Sequence, residues 1–245
     1  RQIILPYLKA RGDRRIDVMV LSHPHPDHLD GLIALAEQMP VGELWVGELP
    51  TRSGDFEDFI LALEARGVPI MLIDATTPLP SLGGVQFRCL HPTPGWRERL
   101  SSRRARSVNN GSLVLEASYG KVDVLLTGDV EREVEAQLVE DGQLRQVEIV
   151  KAPHHGSQTS STQALVDATR PAVVMVGVGR DNRFGFPKRE VVRRWGTVGA
   201  RLYRTDLQGA IEVRTDGTRM EVRSHGDPNV APRWLEAWPE EGAGS

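Results

Sequence analysis

Residues 17–30 read Asp-Val-Met-Val-Leu-Ser-His-Pro-His-Pro-Asp-His-Leu-Asp. The apolar first part, residues 17–22, predicts a buried strand, and residues 30–38 predict a short amphipathic helix. The loop between them thus follows the carboxyl end of a strand. Four potential metal ligands lie in this loop: His23, His25, Asp27 and His28.

The spacing of these four residues predicts an open metal site. In an extended loop, His23, His25 and Asp27 point the same way, and His28 turns back from the following bend. Imidazole nitrogens and carboxylate oxygens suit zinc, manganese or iron, and the lack of thiolates argues against a closed structural zinc site. The alternative is a polar surface loop that happens to contain three of the seven histidines of the chain.

Strands and helices alternate along the rest of the chain, which predicts an α/β fold. Two further candidate segments follow apolar strands. Thr127-Gly128-Asp129 ends a strand predicted at 122–127, and His154-His155 follows a strand predicted at 147–151. Taken alone, the first is more often an ordinary turn and the second more often structural. Together with the first loop they predict a dinuclear site in which Asp129 bridges two cations, which is hydrolytic chemistry without an organic cofactor.

Length and composition set further bounds. A chain of 245 residues with 40% hydrophobic residues can bury the core of one domain. The net charge of −3 excludes a globally basic nucleic-acid binder, but residues 97–106 carry five arginines against one glutamate. That stretch could attract a phosphate backbone or be a solvated loop. No apolar run reaches the roughly 20 residues of a membrane helix, so we expect this piece itself to be soluble.

The segments together resemble the metallo-β-lactamase superfamily, and within it the C-terminal hydrolase domain of the ComEC family of DNA-uptake proteins. The motifs that carry the resemblance are LSHPHPDHLDGL at 21–32, NNGSLVL at 109–115, LLTGD at 125–129, KAPHHGSQTS at 151–160 and YRTDLQG at 203–209. The resemblance implies an αββα sandwich of two mixed sheets over residues 1–224, without the opening strands of the family domain. Residues 225–245 are predicted to be a flexible tail.

The resemblance also implies site residues and two divalent metal ions, zinc or manganese. His23 and His25 would hold one ion, Asp27 and His28 the second, and Asp129 would lie between them. His154 or, preferably, His155 would complete the second site. The catalytic residues would be Asp27, Asp129 and His155. The implied substrate contacts are Asn109, Asn110, Lys151, Ser157, Thr159 and Ser160, although a serine-rich helix start can equally be a simple cap.

Two positions depart from the family pattern. Asn109 and Asn110 stand where many members have a histidine, which implies that one metal is loosely held. Phe186 stands where the pattern has a histidine before Pro187, so an imidazole that contacts substrate is absent from that place.

Three functions remain open at this point. The first is a metal-dependent phosphodiesterase or nuclease that acts on single-stranded DNA in natural transformation. The second is another hydrolase of the superfamily, such as a phosphocholine esterase, thioesterase or lactamase. The third is a non-catalytic DNA-binding module with a vestigial metal site. By resemblance, the partner is the membrane channel domain of a parent protein, and the location is the extracytoplasmic face of the cell membrane.

Overall fold

A computed structural model describes residues 3–47, 54–99, 107–225 and 233–236 of the chain. The chain divides into two compact units. Unit 1 consists of Arg1–Thr77 and His91–Leu113, and unit 2 consists of Pro78–Leu90 and Val114–Ser245. Among the helices of the described ranges, none has both the length and the apolar character needed to cross a membrane.

Unit 1 is built on a parallel three-stranded sheet with the strand order β1-β2-β3. Its strands are β1 (Ile16–Leu21), β2 (Val41–Val46) and β3 (Ile70–Leu72). Its helices are α1 (Ile4–Arg11), α2 (Pro26–Ala36), α3 (Gly54–Glu64) and the short α4 (Trp96–Arg99), and a 3-10 turn spans Asn109–Gly111. Apolar side chains from β1, β2, α2 and α3 form the core of the unit, including Leu29, Leu44 and Leu63.

Helix α2 begins earlier than the sequence pattern predicts. The prediction placed its start at Asp30, but the structure has His25 at the N-cap and Pro26 in the first turn. Proline suits that position because its φ angle is already helical and the missing N–H has no partner there in any case. Asp27 and His28 therefore lie on the first turn of a helix and not in an extended loop.

Unit 2 carries a six-stranded mixed sheet with the strand order β4-β5-β6-β7-β8-β9. Its strands are β4 (Gln86–His91), β5 (Val114–Tyr119), β6 (Val122–Leu126), β7 (Ile149–Lys151), β8 (Val173–Val176) and β9 (Arg201–Arg204). Strands β5 and β6 are antiparallel, and β6 to β9 are parallel. Its helices are α5 (Arg132–Glu140), α6 (Gln163–Thr169), α7 (Arg189–Thr197) and α8 (Thr205–Gln208), with a 3-10 turn at Pro153–Gly156. The carboxyl ends of β6 and β7 are neighbours, because Leu126 pairs with Lys151.

A second sheet of unit 2 is antiparallel and consists of β10 (Ile211–Thr215), β11 (Arg219–Ser224) and β12 (Arg233–Glu236). The Asp216-Gly217 turn joins β10 and β11, as the sequence predicts. Backbone hydrogen bonds from Arg219 and Thr218 stabilise the Asp216 carboxylate and lower its pKa to about 2. The segment predicted to be a flexible tail contains β12, which pairs with β11, while 226–232 and 237–245 lie outside the described residues.

Candidate metal centre

The histidine loop, residues 22–28, joins β1 to α2 in unit 1. The rings of His23 and His25 meet edge to face at 4.8 Å, and the rings of His23 and His28 lie 4.2 Å apart. His23 Nε2 lies 3.1 Å from His25 Nδ1. Two ligand nitrogens of a tetrahedral zinc site are about 3.3 Å apart, since each zinc–nitrogen bond is about 2.0–2.1 Å. The spacing of His23 Nε2 and His25 Nδ1 is therefore compatible with one shared cation.

Two serines orient these histidines. Ser22 Oγ lies 3.2 Å from Nδ1 of His23 and 3.2 Å from Nδ1 of His28. Ser112 Oγ lies 3.1 Å from the same His23 nitrogen. Because the hydroxyls lie beside Nδ1, Nε2 is the nitrogen through which His23 and His28 would bind a metal, as is usual where an outer-shell group contacts the other ring nitrogen of a metal-binding histidine.

Asp27 is the exposed one of the four candidate ligands in the histidine loop, with 61% of its side chain accessible. Its Oδ2 lies 3.8 Å from His28 Nε2. Asp27 stands in the first turn of α2, where the dipole of the helix favours a negative charge. The exposed carboxylate can serve as an oxygen ligand.

The second group of candidate residues follows β6 in unit 2. Asp129 is 2% exposed, and its Oδ1 accepts a hydrogen bond of 3.0 Å from Lys151 Nζ. Lys151 also donates to Gly128 O at 2.6 Å. A buried carboxylate needs a partner of opposite charge, because burial removes its hydration. Lys151, predicted to bind substrate, thus holds the Asp129 carboxylate in place.

His155 lies on the other side of the same carboxylate. Its Nε2 is 3.3 Å from Asp129 Oδ2, and its Nδ1 donates to Gly177 O at 2.7 Å. Since a carbonyl only accepts, Nδ1 of His155 carries a proton, and Nε2 is the ring nitrogen that faces Asp129. Burial lowers the pKa of His155, but the hydrogen bond and the charge of Asp129 raise it, and the net pKa is above the ordinary value.

The backbone at the histidine pair is strained. His154 and His155 have φ angles of 46° and 54°, in the left-handed region that residues with a side chain rarely adopt. Strain of this kind persists where the surrounding structure compensates for it, and it is concentrated at functional sites. The two left-handed residues point the rings in different directions, so His154 does not share the environment of His155.

His154 contacts a different set of groups. Its Nδ1 lies 3.4 Å from Glu131 Oε1 and 3.4 Å from Thr159 Oγ1. Thr159 Oγ1 in turn donates to Glu131 at 2.8 Å. Of the two histidines, His155 is therefore the one whose ring nitrogen lies beside Asp129.

The hydroxyl groups of the segment after the histidine pair form hydrogen bonds within unit 2. Ser157 Oγ accepts from the backbone N–H of Thr159 and lies 3.0 Å from Thr159 Oγ1. Ser160 is fully buried and donates to Val130 O at 2.8 Å. These contacts connect the segment that follows Asp129 to the segment that follows His155. They hold the two ligand-bearing loops in a fixed position relative to each other.

The remaining predicted positions lie apart from these contacts. Asn110 is fully buried in unit 1, and its backbone oxygen accepts from His91 Nε2 at 2.8 Å. Asn109 Oδ1 is buried and has no hydrogen-bond partner among the residues that the structure describes. Most of the arginine-rich stretch, residues 100–106, lies outside the described residues.

Comparison with known proteins identifies the family. A family model described as a β-lactamase superfamily domain matches residues 2–177. The chain belongs to the β-lactamase superfamily. The α/β fold with mixed sheets is consistent with the metallo-β-lactamase fold, so the fold class predicted from the sequence is confirmed.

Three relatives within the superfamily carry names connected with competence or recombination. The chain is 26% identical to ComE operon protein 3 of Bacillus subtilis over 213 residues, which cover 87% of the chain and 26% of that protein. It is 30% identical to competence protein ComA of Neisseria gonorrhoeae over 210 residues, 85% of the chain and 27% of that protein. It is 26% identical to recombination protein 2 of Haemophilus influenzae over 220 residues, 90% of the chain and 25% of that protein. The chain thus spans about a quarter of the length of these relatives, and the predicted resemblance to ComEC proteins is confirmed.

Superfamily members typically bind divalent metals and are usually hydrolytic. Within the described ranges, the group of candidate metal ligands includes Asp27 and His28 in unit 1 and Asp129 and His155 in unit 2. The lone cysteine, Cys89, is buried and is not a member of this group. The donors are thus nitrogen and oxygen atoms, which suit zinc or manganese in an open site.

Several residues that shape the site were not found from the sequence. Ser22 and Ser112 lie beside the histidines, Glu131 lies beside His154, and Gly177 O accepts from His155 Nδ1. Serine at the end of a strand carries no distinctive spacing, and a carbonyl oxygen has no sequence signal at all. Only the flanking position of Ser22, directly before the first histidine, could have drawn attention to it.

Proposed function

We propose that the chain is a metal-dependent phosphodiesterase that cleaves single-stranded DNA. The observation that carries this proposal is the all-nitrogen and oxygen donor set, with its histidines oriented by hydroxyls and its buried carboxylate paired with Lys151. The competence and recombination proteins among the relatives favour DNA over a lactam or a thioester as the substrate.

In this proposal His23, His25, Asp27, His28, Asp129 and His155 hold two divalent cations, with His154 as a neighbour of the second site. When bound, such a pair of cations supplies an activated water and neutralises charge that develops on the phosphate. Asp129 offers one carboxylate oxygen toward His155 and the other toward Lys151, which suits a bridging ligand. Lys151 holds that carboxylate in place through its hydrogen bond, and the hydroxyls of Ser22 and Ser112 orient the imidazole rings.

Substrate contacts in the proposal come from polar groups of each unit. Asn109 offers a buried amide oxygen, and Asn110 lies beside it in the 3-10 turn. Ser157 and Thr159 stand on the segment that follows His155, and Ser157 is 5% exposed. Ser160 supports this segment from within through Val130.

The setting of the activity is also a proposal. The relatives are about four times as long as the aligned segment, which leaves room in a parent protein for other domains. We propose that such a parent protein contributes a membrane channel domain and that the hydrolase works at the extracytoplasmic face of the membrane during DNA uptake.

A cleavage assay tests the proposal. The protein is loaded with Mn²⁺ or Zn²⁺ and incubated with end-labelled single-stranded DNA, bis-p-nitrophenyl phosphate, a thioester and a chromogenic lactam. We expect cleavage of the DNA and of the phosphodiester by the natural chain and by Asp167→Asn, whose exposed carboxylate serves as a matched control. Asp129→Asn should be inactive. Equal DNA loss with Asp129→Asn, or hydrolysis of the thioester or lactam without the phosphodiester, would overturn the proposal.

A further inference from the structure

Two phenylalanines in unit 2 form an exposed aromatic platform, defined here as Phe184 and Phe186. Their rings are stacked, with centroids 5.5 Å apart and planes inclined by 19°. Phe184 is 56% exposed. Phe186 is partly buried beneath it. A rigid aromatic surface that is partly exposed is a candidate binding surface.

The platform is held firmly by its own loop. The Asn182 side chain accepts from the backbone N–H of Phe186 at 2.7 Å and donates to Phe186 O at 3.0 Å. Lys188 Nζ donates to Phe184 O at 2.6 Å. Because these bonds fix the backbone on either side of Gly185, the rings are oriented before any ligand arrives, which reduces the entropy lost on binding.

Positive charge surrounds the platform. The guanidinium of Arg183 lies 4.9 Å from the centre of the Phe184 ring, and Lys188 Nζ lies 5.5 Å from that of Phe186. Residues 180–190 carry four basic against two acidic side chains, although the chain as a whole is acidic. This local balance favours an anionic ligand that also has a flat aromatic surface.

The platform adjoins the turn that carries the candidate ligand His155. The Phe186 ring meets the His154 ring edge to face at 5.9 Å. The backbone N–H of Lys188 donates to Gly156 O at 2.9 Å, and a Cβ added at Gly156 would lie 2.5 Å from Pro187 Cβ. A molecule stacked on the platform would therefore lie next to the strained histidine pair.

We propose that Phe184 and Phe186 form a stacking subsite for a nucleobase of single-stranded nucleic acid, with Arg183 and Lys188 as contacts for the adjoining phosphates. Stacking on aromatic rings with cations nearby is the common way in which single strands are held without sequence preference. Arg183 is exposed, so a base can displace its guanidinium from the face of the Phe184 ring. The displaced guanidinium can then bind a phosphate. The subsite rests on the proposed function, because it positions the substrate of that site.

Binding without cleavage tests this subsite. The protein is kept metal-free with EDTA, and the fluorescence anisotropy of a labelled oligothymidylate of about 12 nucleotides is compared with that of an abasic strand of equal length. We expect Phe184→Ala to weaken oligothymidylate binding roughly tenfold, in line with the loss of one stacked base, and Phe184→Trp to restore it. Binding of the abasic strand should be the same in all three proteins.

The controls separate stacking from charge and from folding. Leu207→Ala removes another exposed apolar side chain of unit 2, 64% exposed, and should leave binding of both strands unchanged. Arg183→Ala should weaken binding of the oligothymidylate and of the abasic strand to the same extent. Unchanged oligothymidylate binding by Phe184→Ala, or an equal loss for the abasic strand, would overturn the subsite. The cleavage assay with loaded protein reports on the proposed function separately, since the binding assay uses neither metal nor turnover.

Discussion

The two groups of candidate ligands are built in different ways. In unit 1 the histidine loop is contiguous in sequence, its backbone enters a regular helix at Pro26, and its rings are oriented by neutral hydroxyls. In unit 2 a buried carboxylate is held by a lysine and a histidine from the next strand and turn, on a backbone with two left-handed residues. The first arrangement depends on local sequence, and the second depends on charge balance and on packing.

The largest expected effect concerns the ligands themselves. If Asp129 bridges two cations and His25 binds one, Asp129→Asn should lower kcat/KM more than His25→Ala does. We expect a loss well above the roughly 100-fold that removal of an outer-shell partner costs. Steady-state kinetics on the phosphodiester and metal content by elemental analysis give the measurement, with Asp167→Asn as control. A larger loss for His25→Ala would reverse the order of importance of the two groups.

The next largest effect is expected from backbone strain, which differs between the two units. Gly156→Ala adds a methyl group at φ +80° and 2.5 Å from Pro187 Cβ, so we expect a loss of about 3 kcal/mol in the free energy of unfolding. Gly31→Ala, on the exposed face of α2 with open space around it, should gain up to about 1 kcal/mol. Urea unfolding measures both. Equal effects of the two substitutions would show that the turn in unit 2 is not strained.

Buried histidines also behave differently in the two units. Burial lowers the pKa of His91 in unit 1 to about 4, and the hydrogen bond to Asn110 O only partly opposes this, whereas Asp129 raises the pKa of His155 in unit 2. Between pH 4 and 6.5 His91 therefore binds a proton in the unfolded chain but not in the folded one. The free energy of unfolding consequently falls as the pH falls through this range.

The magnitude follows from that displacement of the pKa. The free energy of unfolding, measured in urea, should be about 2 kcal/mol lower at about pH 5 than at about pH 7.5 because of His91. The variant His91→Gln keeps an amide donor for Asn110 O but does not titrate, so it should lack this part of the pH dependence. An identical pH dependence in both proteins would contradict the assignment.

The smallest effect is expected from the hydroxyls of unit 1. Ser22→Ala leaves Nδ1 of His23 and of His28 without that hydroxyl, and we expect metal affinity to fall roughly tenfold. Ser22→Thr should retain the affinity because it keeps the hydroxyl. Ser81→Ala, which removes an exposed hydroxyl bonded to Val85 O, serves as the control in a chelator competition titration. Unchanged affinity in Ser22→Ala would mean that the rings are oriented by packing alone.

The sequence predicted the order of the strands and helices well where the apolar period was clear, as in β1, β6 and the β10–β11 hairpin. It missed α1, whose residues Ile4–Arg11 show little amphipathic pattern, and it placed the start of α2 four residues late. Proline is common in loops, but the same restricted φ angle that breaks a helix interior stabilises the first turn of a helix, which is why α2 begins at Pro26.

By itself the sequence determined the family and the candidate ligands, because His23, His25, Asp27 and His28 stand within six residues and carry their chemistry in their own side chains. Tertiary structure alone decided which of His154 and His155 turns to Asp129, that Lys151 serves the carboxylate, and that Phe184 and Phe186 stack at the surface. The contacts at Asp129 and His155 depend on backbone angles and on neighbours more than 20 positions away along the chain, such as Gly177 to His155 with a separation of 22. The phenylalanine stack depends instead on the conformation of its own loop, which Asn182 and Lys188 hold. A pattern of nearby residues does not encode such pairs, since the physical contacts that select them exist only once the strands are side by side.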